Sequence, residues 1–510
     1  MKMYKLIGWL LMPVLAACTS EVPSDGVDPE ESGQPFVICL EDMDEGLTTR
    51  AGRPLQSWEP GQDIQHITLY FVNEPTDADT KKGIVLQKEI NQTQWKEAQD
   101  YDYGKQLEFS IKEKFPEGNY TVYAVGFSEP SDYTIYPTPE TTVIDAIDDY
   151  TFIEDAIVPF DFEKEFAAVL KEGKVAAEEI FAGKAELKAT ADAGGKTSLS
   201  NVGSSASLNP FIILNRQVAG TIGYFTNIPA QVGGISPTKL RLIASNCNNT
   251  VNFIELVEGE TIQPGFDVSD GNDSGTTDDT DNPDNDNKVT YVVNGSMTGN
   301  PVYTQVDFYN TPANKGYVVY EIQLEDFYPY MKQQGKSFVD CDLNGDGYVG
   351  TGDCSEESLT RVDLQLSDYW KNPRNTQEHL QELQQGSVYG SSFLIPFKWL
   401  ELHNTFELQL LGTSNSGADI YLQAWNVKLS KNQLHQIGEI PTVSTGIIVF
   451  IEGDKSESCF NVYRNHLYVL GEKPKDTEVT EDDKPLDLSK GLELVITIKG
   501  LWKGSNNMTI

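Results

Sequence analysis

The sequence predicts a mainly β protein divided into two domains, and three observations carry this. Aromatic residues are plentiful, with 23 Tyr and 22 Phe among 510 residues, and aromatic side chains favour strands. Short runs rich in β-branched and aromatic residues recur between turn signals, helped by 42 glycines. From Asp267 to Lys288 the chain becomes a run of Asp, Asn, Gly, Ser and Thr with eight aspartates against one lysine. Such a run cannot bury apolar surface, so a disordered domain boundary or a long surface loop is expected there. The division is then a first domain at 51–265, a linker or loop at 266–288 and a second domain at 289–510.

Strands are expected first at Ile67–Val72 and at Tyr120–Val125, the latter just after the turn signal Pro116-Glu117-Gly118-Asn119. Phe166, Val169 and Leu170 stand at i, i+3, i+4 among Glu and Lys, which predicts a helix over Phe162–Ala182, weakened or split by Gly173. Strands resume at Phe211–Leu214, Val218–Phe225 and Lys239–Ala244. After the acidic tract they follow at Lys288–Val293, Tyr317–Leu324, Ser391–Phe397, Phe406–Leu411, Ile420–Leu429, Gly446–Ile451 and His466–Leu470. The last is Leu492–Ile498, where Leu492, Leu494, Ile496 and Ile498 share one face. That strand either closes a sandwich or inserts into another subunit, with backbone ladders and alternate side-chain pockets holding it there.

The N-terminus reads as an export signal. Lys2 and Lys5 precede an apolar run from Leu6 to Ala17, too short to span a bilayer. It ends in Leu15-Ala16-Ala17-Cys18, which resembles a bacterial lipobox, so 1–17 is expected to be removed and Cys18 lipidated. Residues 18–50 are polar and look like a tether or pro-segment. The formal net charge of −39 repels phosphate backbones and excludes nucleic acid as a natural partner. Six cysteines are present, and an exported chain permits disulfides; Cys341–Cys354 is the favoured pair because it brackets a compact loop.

That loop is the sharpest local motif, Asp342-Leu343-Asn344-Gly345-Asp346-Gly347-Tyr348-Val349-Gly350-Thr351-Gly352-Asp353. Oxygen donors fall at positions 1, 3 and 5, glycine at 6, a backbone carbonyl at Tyr348, an apolar residue at 8 and a carboxylate at 12. The spacing resembles EF-hand calcium loops, and Asp353 at position 12 resembles dockerins. A structural Ca²⁺ on Asp342, Asn344, Asp346, Tyr348 and Asp353 is expected. The loop occurs once, against two copies in dockerins. Enzyme signatures are missing: none of His66, His379, His403, His435 and His466 stands in a zinc arrangement, and no nucleophile elbow or phosphate loop is present. A non-enzyme is expected.

Several segments together resemble the fimbrillins of Bacteroidales type V pili, particularly the minor-fimbrium type. Thr49-Arg50-Ala51 after the lipobox resembles their trypsin-like cleavage site. Leu214-Asn215-Arg216-Gln217-Val218-Ala219-Gly220 resembles an Arg-x-Val-Ala strand of their N-terminal domain. Ser391-Ser392-Phe393-Leu394-Ile395-Pro396 resembles a recurring strand of the C-terminal domain, and Tyr463-Arg464-Asn465-His466-Leu467-Tyr468 an element near the C-terminus. The resemblance implies two transthyretin-like β-sandwich domains, and the helix expected from its spacing then forms a short helical insertion in the first. It implies lipid delivery to the outer membrane and cleavage between Arg50 and Ala51, which releases a segment that plugs a groove. A neighbour's strand, of the kind at 492–502, then fills that groove. The implied partners are other fimbrial subunits, the membrane before processing, and a host or bacterial surface receptor. The alternative is an outer-membrane surface lipoprotein that binds glycans without forming a pilus.

Overall fold

The structure is a computed structural model. It describes residues 33–41, 288–293, 302–307, 317–354, 383–396, 406–429 and 484–501, most of 64–253, and 462, 464 and 466–471. Strands are numbered in chain order. The first sheet contains β1 (Gln34–Glu41), β2 (His66–Glu74), β3 (Ile84–Ile90), β4 (Gln99–Tyr101), β5 (Gly104–Ile111) and β6 (Gly118–Phe127). Later in the chain β9 (Phe181–Ala191), β10 (Thr197–Asn201) and β11 (Phe211–Arg216) join it. Their spatial order is β3-β2-β6-β9-β11-β1-β5-β4, with β10 beside β9.

Alternation decides what each strand buries. On β2, Ile67, Leu69 and Phe71 face one core with Phe36, Ile38 and Leu40 of β1, while Tyr70 and Val72 face the other. The sheet curls until Phe36 meets Phe71 edge to face, ring centroids 5.6 Å apart. Over the opposite face lies a small sheet of β15 (Thr250–Asn252), β8 (Ala167–Leu170) and β7 (Tyr133–Tyr136). Tyr70 and Tyr123 of the large sheet pack there against Phe162 and Phe166.

Among the described residues, the helix expected over Phe162–Ala182 is confined to Phe162–Glu165, a single turn capped by the Asp161 side chain. Phe166 then leaves helical geometry (φ −76°, ψ 103°) and the chain runs into β8. Phe166 and Leu170 are four apart, a spacing that suits a helix and two strand repeats alike. Ala168 between them also enters the core, and the aromatic cluster around Tyr70, Tyr123 and Phe253 fixes the extended choice.

The second sheet contains β12 (Ala219–Thr226), β14 (Pro237–Ala244), β18 (Tyr317–Gln323), β20 (Ser387–Leu394), β21 (Phe406–Thr413), β22 (Asp419–Leu429), β23 (His466–Leu470) and β25 (Glu493–Leu501), with β24 (Leu486–Asp487) beside β12. Their order is β18-β14-β21-β22-β25-β23-β12-β20. Trp425, Tyr468, Leu408, Leu410, Leu494 and Ile496 lie in its core. The two ends of the sheet meet face to face and make a sandwich. Gly223 of β12 pairs with Gly390 of β20, and both lie under β18. A Cβ on Gly390 would stand 2.5 Å from Ile322, and one on Gly223 would overlap the Tyr320 hydroxyl. Two short ladders complete the described strands: β13 (Ile228–Pro229) with β19 (Tyr348–Val349), and β16 (Lys288–Val293) with β17 (Val302–Asp307).

The mainly β, sandwich-like fold with few and short helices agrees with expectation. Two boundaries do not. β1 lies inside the stretch expected to be a polar tether. In addition, β12 and β14, placed by sequence in a first domain reaching 265, hydrogen-bond into the second sheet. The chain crosses between sheets at Gln217–Val218, where no composition change marks it. The acidic tract before Lys288 and the strand expected at 446–451 lie outside the described residues.

Gly223→Ala should lower the unfolding free energy by about 1–3 kcal/mol in urea denaturation, because the added methyl overpacks the closed sandwich. Gly118→Ala, where the nearest atom is 3.9 Å away, should change it by less than about 0.5 kcal/mol.

Candidate functional site

The most informative site is the slot that β1 fills. Gly33, at φ +66°, turns the chain into it with its α-carbon packed near the Ile111 carbonyl. Gln34 then anchors the strand: its Nε2 donates to the Leu199 carbonyl at 2.6 Å and its Oε1 accepts from the Leu199 N–H at 2.8 Å. β1 runs antiparallel to β5 from Gln34↔Ile111 to Glu41↔Gly104. On its other edge it runs parallel to β11, from Val37↔Phe211 to Leu40↔Leu214. Phe36, Ile38 and Leu40 are fully buried in the first core. Val37 and Cys39, on the opposite face, are also buried. The run Pro35–Leu40 was the available signal, five apolar residues in a stretch otherwise polar.

A buried polar junction lies where the chain leaves β11. Arg216 pairs with Glu179 at 2.7 Å, both side chains almost wholly inaccessible. Gln217 is fully buried, its N–H donating to the Ile180 carbonyl. Gln217 Nε2 donates to the carbonyls of Asn215 (2.8 Å) and Ala182 (3.4 Å). Its Oε1 accepts from Arg464 Nη1. The Arg464 carbonyl in turn contacts His466 Nδ1 at 2.8 Å. Two motifs remote in sequence, Arg216–Ala219 and Arg464–Tyr468, therefore meet at one point. Gln217, the variable position of the first motif, makes the connection. Burial holds the His466 pKa below the usual imidazole range, opposed by its bond to the Arg464 carbonyl.

The C-terminal segment is docked in its own sheet. β25 lies between β22, to which it is parallel (Asn426↔Glu493 to Leu429↔Ile496), and β23, to which it is antiparallel. Leu494 and Ile496 are buried in the second core, whereas Leu492 is 59% exposed. The side chain of Ile498 lies outside the described ones. In this position it is a closing strand, and a donor strand would have to leave that place.

The loop at 342–353 is held by its own side chains. Asp342 Oδ1 and Oδ2 accept from the N–H groups of Gly345 and Gly347 (2.7 and 2.9 Å). Asn344 Oδ1 accepts from Asp346 N–H, and Asp346 Oδ1 from Tyr348 N–H. Asp353 is buried and accepts from the N–H groups of Leu343, Asn344 and Gly350. Desolvation nevertheless raises its pKa above the usual carboxylate range against those three bonds. Val349, the apolar position 8, pairs with Ile228 and ties the loop to the corner after β12. Each carboxylate oxygen that accepts one N–H keeps a lone pair for a hard cation, so the donor chemistry suits Ca²⁺. Among the described residues no three His, Cys, Asp or Glu side chains converge as a metal centre.

The expected Cys341–Cys354 bridge is not formed: both are buried free thiols. Burial pushes each thiol up to about 12, which leaves little thiolate to start oxidation. Cys18, Arg50 and Ala51 lie outside the described residues.

No family model matches the sequence, and no curated protein matches it. Solved structures of Bacteroidales surface proteins do align with the chain. A structure provisionally described as a cell adhesion protein from Bacteroides eggerthii is 9% identical, with a TM-score of 0.32, covering 92% of this chain and 95% of that one. A fimbrial assembly protein from Parabacteroides distasonis is 15% identical, with a TM-score of 0.25, covering 56% of this chain and 88% of that one. The fimbrial anchor protein of Porphyromonas gingivalis is 12% identical, with a TM-score of 0.22, covering 46% of this chain and 68% of that one.

The lowered His466 pKa makes a signed prediction. The unfolded chain takes up this proton first as pH falls below about 6.5, so the folded state loses stability on the acid side. His466→Asn keeps a donor near the Arg464 carbonyl and removes the titration. Its melting temperature should therefore fall less between pH 7.5 and 5.5 than that of the unaltered protein.

Proposed function

We propose that the chain is a structural subunit of a fimbrium, exported as a lipoprotein and kept closed by its own N-terminal strand. One observation carries the reading. β1 is central to the first sheet and buried on both faces, yet it lies N-terminal to the Arg50–Ala51 bond. An ordinary tether needs no such position. Each large side chain in the slot contributes roughly 1.5–3 kcal/mol of gross apolar burial. Removing β1 exposes that trough and leaves β5 and β11 as flanking edges, a template for another strand. The segment carrying Leu492, Leu494, Ile496 and Ile498 repeats the two-residue spacing of Phe36, Ile38 and Leu40, so a neighbour's C-terminal strand suits the vacancy. Lipid on Cys18 delivers the precursor to the outer membrane, and the cut between Arg50 and Ala51 frees it to polymerise and support adhesion.

Treating the purified precursor with a trypsin-like protease should yield a new N-terminus at Ala51 and SDS-resistant oligomers. Deleting residues 492–510 should abolish the oligomers and spare the cut. A cleaved protein that stays monomeric at high concentration refutes the reading.

The register of oxygen donors supports a second element, a structural Ca²⁺ in the 342–353 loop, held by Asp342, Asn344, Asp346, the Tyr348 carbonyl and Asp353. Isothermal titration should show one site, lost in Asp342→Ala and Asp346→Ala. No heat at millimolar Ca²⁺ removes it.

A further inference from the structure

We propose that the Gln217–Arg464 contact lets the C-terminal strand sense whether β1 is in its slot, so that loss of β1 loosens β25. The inference rests on the strand-exchange reading above and adds to it a control on when the donor strand becomes available.

The path begins at β11. β1 covers one of its edges over Phe211–Leu214, while the described pairing with β9 on the other edge spans only Asn215↔Ala182 and Arg216↔Phe181. Without β1, the stretch Phe211–Leu214 loses its ladder, and β11 is held by those two ladder positions and, at its start, by the Asn201 side chain, which bonds the Phe211 N–H and carbonyl. The next residue is Gln217. Its side chain serves both sheets at once, donating to Asn215 and Ala182 in the first and accepting from Arg464 at the second. A shift of β11 cannot preserve both sets of bonds. The acceptor withdrawn from Arg464 belonged to a charge-assisted bond in a site closed to water, where such bonds are strongest.

Arg464 stands at the entry to β23. Its carbonyl holds His466, and His466 is the residue of β23 that pairs with Leu501 at the far end of β25. The ladder is already irregular there, with a register shift between His466 and Leu467. A local distortion therefore arrives at the weakest point of the β23–β25 pairing, and β25 frays from its C-terminal end. The elements form one contiguous chain of contacts, β1 to β11 to Gln217 to Arg464 to β23 to β25.

Hydrogen–deuterium exchange read by mass spectrometry tests this on the full chain. Ile38→Asp places a charge in the buried face of β1 and loosens it without protease; Leu40→Ala replaces it if that variant does not fold. Amides in Glu493–Leu501 should exchange at least tenfold faster than in the unaltered protein, while β14 and β21 stay protected. Adding Arg464→Leu should make exchange in Glu493–Leu501 independent of the β1 substitution. The coupling is overturned if β5 and β11 speed up and β25 does not. It is also overturned if β14 and β21 speed up equally, or if the response survives Arg464→Leu. Cleaved protein that polymerises although β25 is unresponsive would overturn the coupling alone. A responsive β25 in a cleaved protein that never polymerises would overturn the fimbrial reading alone.

Discussion

The insertion of β1 between β5 and β11 is the contact on which the first sheet depends. It supplies two backbone ladders and the Phe36–Phe71 contact that closes the curl. A central strand stabilises a sheet more than an edge strand does, because it buries both faces and satisfies both rows of backbone groups. Take it away and the first core, with Leu69, Phe71, Ile212 and Leu214 in its walls, opens along its length. None of the described strands of the second sheet pairs with β1. The strands of that sheet all come from residues 219–501, and it closes through the facing glycines 223 and 390.

Much of this was legible in the sequence. The runs at Ile67–Val72, Tyr120–Val125, Phe211–Leu214, Lys239–Ala244, Phe406–Leu411 and Ile420–Leu429 all lie in strands, because β-branched and aromatic residues at period two leave little choice. Lys288–Val293 coincides with β16. The misreadings share a cause, which is that tertiary context decided. Phe166 and Leu170 fit two periodicities, and the aromatic cluster around them chose the strand. The five apolar residues of β1 sit in a polar neighbourhood, and only distant strands make them central. The sheet crossing at Gln217–Val218 leaves no compositional trace because a buried junction needs hydrogen bonds and not a linker.

Of the candidate site, single residues were legible and relations were not. Arg216 and Arg464 each lay in a segment marked by the resemblance, but nothing in either motif names Gln217 as the group that joins them. The oxygen-donor spacing of the 342–353 loop was plain, yet the side chains are engaged with backbone N–H groups, and the two flanking cysteines are thiols. Spacing reports which atoms are available and says little about which partner holds them.

The parallel pairing of β1 with β11 has a consequence for how the chain is made. Residue 37 must wait for residue 211 to emerge before its second edge is covered. Until then it can pair with β5 alone, as a half-built hairpin-like layer exposing Phe36 and Ile38. Contacts so distant in sequence close late and slowly. The N-terminal strand therefore takes its place in the sheet only after most of the first sheet has been made.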